Sequence, residues 1–193
     1  MKDKIKVLFI CHGNICRSTM AESYFTYIVS QAGLAESFEI DSAATSREEI
    51  GNPPHHGTVR KLESEGIPVI PHRARRMTRD DAAYYDFLIG MDDENIYNME
   101  RIAGKAGDGK IFKLLAFAQI KSGPADASGE CRLPAGKYKK GASGGHRTIG
   151  AVKGKVPDGG YVRDVADPWY TGDFEATYRD IVKGCRGLLR FLI

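Results

Sequence analysis

The feature that most constrains the fold is a continuous apolar run at residues 7–10, Val-Leu-Phe-Ile, followed directly by a glycine-containing loop and an amphipathic segment. A run without polar alternation is typical of a strand that is covered on both faces in a parallel sheet. After the loop, apolar residues recur at spacings of three and four up to Ala32, which predicts a helix that ends at Gly33. The chain therefore begins with a strand, a loop and a helix.

The same order of strand and helix repeats along the chain. Residues 37–43, 85–91 and 110–115 read as further strands, and a short strand at 67–70 is weakly indicated. A helix is predicted to follow Pro53 and Pro54 and to end at Gly66, and further helices are predicted at 92–103 and 174–192, the last with a clear apolar face. This alternation predicts an α/β fold in which a parallel sheet carries helices on both faces.

Length and composition favour a single domain over residues 1–193. With 193 residues and 42% hydrophobic content, the chain can bury one sizeable core. The exception is residues 121–160, which hold ten of the 22 glycines and have neither helical nor strand periodicity. We interpret this stretch as a flexible, basic, glycine-rich surface insertion.

Charge is concentrated in that insertion. Residues 121–160 contain eight Lys and Arg against three Asp and Glu, a local charge of +5, which leaves 20 against 22, or −2, for the rest. A near-neutral body does not indicate nucleic-acid binding. The insertion itself could steer acidic substrates or partners.

Targeting and metal signals are weak. The N-terminal apolar stretch is interrupted by Lys6 and too short for a signal peptide, and no segment is long enough to span a bilayer. The four cysteines have no CxxC spacing, and a site built from Cys131 and His146 is poorly supported. We therefore expect reduced thiols in a cytoplasmic protein with no metal, no cofactor and no membrane partner.

Residues 11–18, Cys-His-Gly-Asn-Ile-Cys-Arg-Ser, lie where the first strand gives way to a helix. In a parallel sheet ligands bind beyond the carboxyl ends of the strands, and a loop that precedes a helix N-terminus can surround an anion with backbone N–H groups. Gly13 and Asn14 suit a tight turn, and Arg17 adds a charged fork that grips two phosphate oxygens. The loop therefore predicts a site for phosphate or a similar oxyanion.

Cys11 supplies a nucleophile to this loop. The positive field that holds a dianion also favours a thiolate, and a thiolate facing phosphorus would form a phosphocysteine intermediate. Either Ser18 or Thr19 could donate a hydrogen bond to the sulfur, and Ser18, directly after Arg17, is the better candidate.

Expulsion of an alkoxide or phenoxide requires a proton donor, and the late stretch Val-Ala-Asp-Pro-Trp-Tyr-Thr-Gly-Asp-Phe offers Asp167. Pro168 restricts this aspartate to extended angles, and the aromatic surroundings of Trp169 and Tyr170 favour its protonated form. The two aromatic side chains would also rim a pocket for flat phenyl phosphates. After the leaving group departs, the same carboxylate could activate water. Asp-Pro is also a common turn signal, so a purely structural Asp167 is the competing interpretation.

The loop CHGNICRS followed by Met-Ala-Glu, together with the late DPWYTGDF, resembles the low-molecular-weight protein tyrosine phosphatase family. The resemblance covers the whole chain apart from the insertion, which typical members lack. It implies a three-layer α/β sandwich with four parallel strands and the phosphate-binding loop after the first strand. It also implies Cys11 as nucleophile, Arg17 as phosphate clamp and Asp167 as general acid, with no cofactor.

The resemblance extends to residues around these three. It implies loop-supporting roles for Asn14, Ser18, Ser42 and His72, and a second loop cysteine, Cys16, that can form a disulfide with Cys11 under oxidation. The expected substrates are phosphotyrosine proteins or small aryl phosphates. The residues expected to bind them are His12, Gly13, Asn14, Ile15, Cys16, Ser18, Trp169 and Tyr170. His12 stands where the family often has an apolar residue.

Three other functions remain open at this point. Related arsenate reductases use further cysteines near the middle of the chain, whereas none lies between Cys16 and Cys131. Related protein arginine phosphatases typically carry threonine before the second loop cysteine, whereas this chain has Ile15, whose bulk suits a phenyl ring. A catalytically silent phosphate-binding module is the third alternative, and the presence of Cys11, Arg17 and Asp167 argues against it.

Overall fold

A computed structural model of the chain describes residues 4–119 and 162–193. The predicted insertion at 121–160, with Cys131 and His146, lies outside the described residues. The strands are β1 (Ile5–Cys11), β2 (Phe38–Ala44), β3 (Phe87–Gly90) and β4 (Ile111–Lys113). The helices are α1 (Arg17–Gln31), α2 (His56–Ser64), α3 (Arg79–Tyr84), α4 (Asp93–Ala103), α5 (Pro168–Thr171) and α6 (Phe174–Leu192).

The four strands form one parallel sheet in the order β2-β1-β3-β4. The central strand β1 pairs Cys11 with Ala44 of β2 and Ile10 with Gly90 of β3. The fold prediction, a three-layer α/β sandwich with four parallel strands and helices on both faces, is confirmed.

Alternate residues of β1 enter two different cores. Val7, Phe9 and Cys11 pack on the side of α1 and α6, where Phe25 and Leu188 are fully buried. Leu8 and Ile10 pack on the opposite side, against α3 and α4. The unbroken apolar run 7–10 is therefore explained by burial on both faces of the sheet.

The structure differs from the sequence prediction in several elements, among them the short helix α5, which was not predicted. Residues 67–70 form no strand. Pro68 and Pro71 lack N–H donors there, and the N–H of Ile70 donates to Ser23 Oγ at 3.2 Å. The fourth strand is only Ile111–Lys113, because the chain then tightens into a 3-10 helix at Leu114–Gln119. Helix α3, with a capping box between Thr78 and Asp81, was not predicted.

No helix within residues 4–119 and 162–193 has the length and apolar character needed to cross a bilayer.

Candidate active site

The loop between β1 and α1 sits at the carboxyl edge of the sheet. Asn14 has a φ of 60°, a left-handed conformation that asparagine tolerates. Gly13 does not have a positive φ. A Cβ at Gly13 would lie 3.1 Å from Glu49 Cγ, so the glycine instead allows a neighbouring loop to approach closely.

Two donors in the loop converge on the sulfur of Cys11, which is 3% exposed. The backbone N–H of Asn14 donates to Sγ at 3.3 Å, and Ser18 Oγ lies 3.1 Å from Sγ. Because Ser18 Oγ already accepts a hydrogen bond from Asn14 Nδ2 at 2.9 Å, its own hydrogen is free to point at the sulfur. Thr19 instead donates to the carbonyl of Cys16 at 3.0 Å.

The side chain of Asn14, fully buried, fixes the base of the loop. Its Nδ2 donates to Ser18 Oγ and, at 2.8 Å, to Ser42 Oγ. Its Oδ1 lies 2.8 Å from His72 Nε2 and accepts the backbone N–H of Arg75 at 3.0 Å. Because Oδ1 can only accept, His72 Nε2 must carry a proton. The structure thus brings Ser42 and His72 to the underside of the loop.

A buried acid lies behind this network. Ser42 Oγ donates to Glu22 Oε2 at 2.6 Å, and His72 Nδ1 lies 3.5 Å from the same oxygen. Burial raises the pKa of Glu22 to about 7, against an opposing hydrogen bond from Ser42. Burial lowers the pKa of His72.

Glu22, Asp41 and His72 are also the one group of described residues whose arrangement could hold a metal ion, with ligand atoms within 4.8 Å of one another. Their oxygens already accept from protein donors, because Arg75 pairs with Asp41 at 2.8 Å and Ser42 donates to Glu22. We therefore interpret the group as support for the loop.

Arg17, 3% exposed, joins the loop to two carboxylates. Its Nη1 lies 2.5 Å from Asp92 Oδ2, and its Nη2 lies 2.5 Å from Asp167 Oδ2. Burial alone would lower the pKa of Arg17, but the negative charges of Cys11, Asp92 and Asp167 outweigh it and raise the pKa. The guanidinium is permanently charged at the mouth of the Cys11 loop.

Asp167 reaches Arg17 because the segment before α5 is fixed on both sides. The N–H of Val165 donates to the carbonyl of Met91, directly after β3, at 2.9 Å. Asp180 of α6, 4% exposed, accepts the N–H of Ala166 at 3.2 Å and pairs with Arg163. Asp167 then begins α5, where its Oδ1 accepts the N–H of Trp169 at 3.0 Å.

The rim of the site combines aromatic and polar groups. Trp169 and Tyr170 are 59% and 86% exposed, so their rings are available to a ligand. His12 Nε2 lies 3.0 Å from Glu48 Oε2 in an exposed pair. Ile15 is 7% exposed and packs in a small cluster with Ala74 and Phe174.

The second loop cysteine, Cys16, is 5% exposed. Burial, followed by the charges of Cys11 and Asp167, raises the pKa of Cys16 to about 12. Cys16 is therefore a thiol, and not a thiolate, at neutral pH.

Sequence reasoning missed several contributors to the site. Asp92 was predicted only as the first residue of the helix at 92–103, and in the structure it caps α4 by accepting the N–H of Asn95 at 2.6 Å. The signal for its second contact was its place directly after β3, since the carboxyl ends of neighbouring parallel strands share one edge. Glu22, Asp41 and Arg75 were also missed, because nothing in their local sequence marks them.

Known proteins are similar in sequence to this chain along most of its length. The profile of the family described as low molecular weight phosphotyrosine protein phosphatase matches residues 6–127. The low molecular weight protein-tyrosine-phosphatase YfkJ of Bacillus subtilis is 33% identical over 185 residues, covering 96% of this chain and 94% of that protein. The human low molecular weight phosphotyrosine protein phosphatase is 43% identical over 95 residues, 49% of this chain and 60% of that protein.

Solved structures share the fold. The crystal structure of YfkJ superposes with a TM-score of 0.73 and covers 97% of this chain and 94% of that one. A Drosophila arginine phosphatase, at 22% identity and a TM-score of 0.70 over 97% of this chain and 98% of that one, also has this fold. The fold by itself therefore does not choose between phosphotyrosine and phosphoarginine.

Proposed function

The chain belongs to the low molecular weight phosphotyrosine protein phosphatase family, and from that premise we propose that it hydrolyses phosphotyrosine through a phosphocysteine on Cys11. The observation that carries the proposal is the position of Arg17, which belongs to the Cys11 loop and whose Nη2 lies 2.5 Å from Asp167 Oδ2. This ion pair places an acid beside the loop of the nucleophile, although the two are far apart in the sequence.

In the first step the Cys11 sulfur attacks phosphorus, and the S–P bond forms as the P–O bond to the leaving group breaks. The Asn14 N–H and the Ser18 hydroxyl both contact the attacking sulfur and fix its position in the loop. The Arg17 fork and the backbone N–H groups of the loop hold the equatorial phosphoryl oxygens, where charge is spread in the transition state.

Asp167 is the proposed proton donor to the leaving oxygen. A phosphate dianion competes with Asp167 for Arg17 and so releases the carboxyl group from its ion pair. In the second step the Asp167 carboxylate takes a proton from water, whose oxygen attacks phosphorus. The S–P bond then breaks, and inorganic phosphate and the Cys11 thiolate are released.

The substrate side of the proposal rests on the rim. Trp169 and Tyr170 offer exposed ring faces to a flat phenyl group. We therefore propose phosphotyrosine proteins and small aryl phosphates as substrates, and a cytoplasmic protein because the cysteines have no disulfide or zinc spacing. Gly13, Asn14, Cys16 and Ser18 contribute through the loop backbone and its supports.

The mechanism is tested by hydrolysis of an aryl phosphate by the wild type, Cys11→Ser and Cys16→Ser. The two variants make the same change in the same loop, but Cys16 is a protonated thiol with a pKa of about 12. We expect Cys11→Ser to lower turnover by at least about a thousandfold, because a serine hydroxyl is not ionised near neutral pH and is a weak nucleophile. We expect Cys16→Ser to keep turnover within about tenfold of the wild type. Comparable losses in both variants would count against Cys11 as nucleophile.

Substrate choice is tested with matched phosphotyrosine, phosphoarginine and phosphoserine peptides. We expect the phosphotyrosine peptide to have the highest kcat/KM, because only its phenyl ring fills the aromatic rim. A higher kcat/KM for phosphoarginine would assign the arginine phosphatase alternative instead. If the wild type hydrolysed none of the peptides, the result would favour the third alternative, a catalytically silent phosphate-binding module.

A further inference from the structure

A second basic cavity lies on the opposite side of the sheet edge from the Cys11 sulfur. Its volume is about 660 Å³, and among the described residues four arginines but no acidic residue line it. These are Arg47, Arg76, Arg79 and Arg101, and we call the cavity the arginine groove. Its walls come from the loop after β2, the start of α3 and the C-terminal half of α4.

Two buried polar groups of the arginine groove have no hydrogen-bond partner within the described part of the chain. They are Oγ1 of Thr45, a residue that is 7% exposed, and Nε of Arg76. An unpaired buried polar group destabilises a fold, and both of these groups can donate, so a ligand with acceptor oxygens would satisfy them.

Among residues 4–119 and 162–193, none of the four groove arginines forms an ion pair with a carboxylate. The guanidinium of Arg101 lies over the ring of Tyr97, 5.6 Å from the ring centroid. Elsewhere the chain pairs its less exposed arginines, for example Arg17 with Asp92 and Arg75 with Asp41. Four guanidinium groups around one cavity create a potential that favours a multiply charged oxyanion.

The arginine groove and the Cys11 loop share a wall. Cys11 pairs with Ala44, so the next residue, Thr45, points to the other face of the sheet. The N–H of Thr45 donates to the carbonyl of Cys11 at 2.9 Å, and the N–H of Ser46 donates to that of His12 at 3.0 Å. Two residues later Glu48 contacts His12 at the active-site rim, while Arg47 lines the groove.

We propose that the arginine groove is a second oxyanion site that binds a phosphoryl group, separate from the site at Cys11. The phosphoryl group is either free inorganic phosphate or a second phosphate on the substrate. A phosphoryl group offers several acceptor oxygens and up to two negative charges, which matches the unpartnered Thr45 hydroxyl, the Arg76 Nε and the surrounding guanidinium groups. Binding of inorganic phosphate is independent of the proposed function. Binding of a second phosphate on the substrate rests on the proposed function.

Inorganic phosphate binding is measured by calorimetry on the full chain in an Arg17→Gln background, which disables the Cys11 site. We expect Arg17→Gln to retain one phosphate site, and the further change Arg76→Gln to weaken it by about tenfold or more, because the groove loses a charged donor. Arg73→Gln in the same background is the control, since Arg73 is exposed and does not line the cavity. Phosphate binding that is equally strong with Arg76→Gln and Arg73→Gln would overturn the inorganic phosphate source.

The second source is tested with two peptides that share one phosphotyrosine and differ in a second phosphate on a neighbouring serine. We expect wild type to prefer the doubly phosphorylated peptide, and Arg76→Gln to lower the ratio of the two kcat/KM values about tenfold. A changed ratio assigns the site to the substrate, and phosphate binding with an unchanged ratio assigns it to inorganic phosphate.

The proposal is overturned if Arg17→Gln binds no phosphate and the ratio is also the same in both proteins. Absence of peptide turnover would contradict the proposed function but leave the calorimetric result valid. Because Arg76→Gln removes an unpartnered group, its free energy of unfolding should not fall below that of Arg73→Gln, which controls for misfolding.

Discussion

Asn14 is the residue on which the geometry of the loop depends most. It combines a left-handed backbone with hydrogen bonds to Ser18, Ser42, His72 and the backbone of Arg75. Aspartate and glycine also tolerate this φ, but neither has a side chain that supplies two donors and an acceptor. The orientation of Ser18 toward the Cys11 sulfur is a consequence of these contacts.

We therefore predict that Asn14→Ala lowers the free energy of unfolding by about 2–4 kcal/mol, because it leaves several buried groups unpaired and places alanine at a positive φ. Urea unfolding of the wild type and the variant measures this loss. Asn52→Ala is the control, since Asn52 is exposed and its side chain donates to Glu49 Oε2 at 2.6 Å on the surface. Equal losses in the two variants would mean that the buried network contributes little.

Among single residues, the sequence predicted those site residues that belong to a recognisable local motif. Cys11 and Arg17 share one loop, and Asp167 is marked by the proline and aromatic residues after it. Glu22 and Asp41 could not be predicted, because their roles arise from contacts with His72 and Arg75, which lie far along the chain. Tertiary contacts of this kind leave no local pattern.

At the scale of elements, the position of the acid depends on α6. Asp180 and Thr177 on this helix hold Ala166, one residue before Asp167. The helix in turn packs closely on the 3-10 helix at Leu114–Gln119, where Gly184 and Gly187 leave no room for a side chain. The amphipathic pattern of 174–192 predicted the helix, but not the two glycines as its contact points.

We predict that Gly187→Ala lowers the free energy of unfolding by about 2–4 kcal/mol, because a Cβ there would overlap the backbone carbonyl of Phe117. Lys183→Ala, on the exposed side of the same helix, should change it by less than about 0.5 kcal/mol. Thermal or urea unfolding of both variants measures the difference. A Gly187→Ala variant as stable as Lys183→Ala would contradict the close packing of α6.

Element boundaries were predicted less well than element types. The run Lys110–Leu115 read as one strand, yet only Ile111–Lys113 pair with β3. Leu114 and Leu115 are apolar because they are buried against α6 and the sheet, and burial does not by itself distinguish a strand from a 3-10 turn. The polar sequence of α3 gave too little periodicity to reveal a six-residue helix.

At the scale of the whole molecule, the buried acid Glu22 links stability to pH. Its pKa is raised from 4.5 to about 7, so the folded chain holds a proton that the unfolded chain releases. This contribution is fully present below about pH 4.5 and is lost as pH rises through about 7.

We predict that the free energy of unfolding of the wild type, relative to Glu22→Gln, falls by about 3 kcal/mol between pH 4.5 and pH 7.5, as expected for a shift of this size. Urea unfolding of both proteins across this range measures the difference, and Glu22→Gln removes only the titrating group. A difference that stays constant or rises with pH would mean that Glu22 is ionised in the folded chain throughout.

The central claim is that Cys11 carries the phosphoryl group during turnover. The most direct measurement is rapid quenching of an Asp167→Ala, Cys16→Ser variant with an aryl phosphate whose leaving group needs no proton, followed by mass spectrometry of the loop peptide. Without the Asp167 carboxylate the second step should be slow, so we predict one phosphoryl group on Cys11. Turnover with no adduct, or an adduct on a residue other than Cys11, would contradict the account.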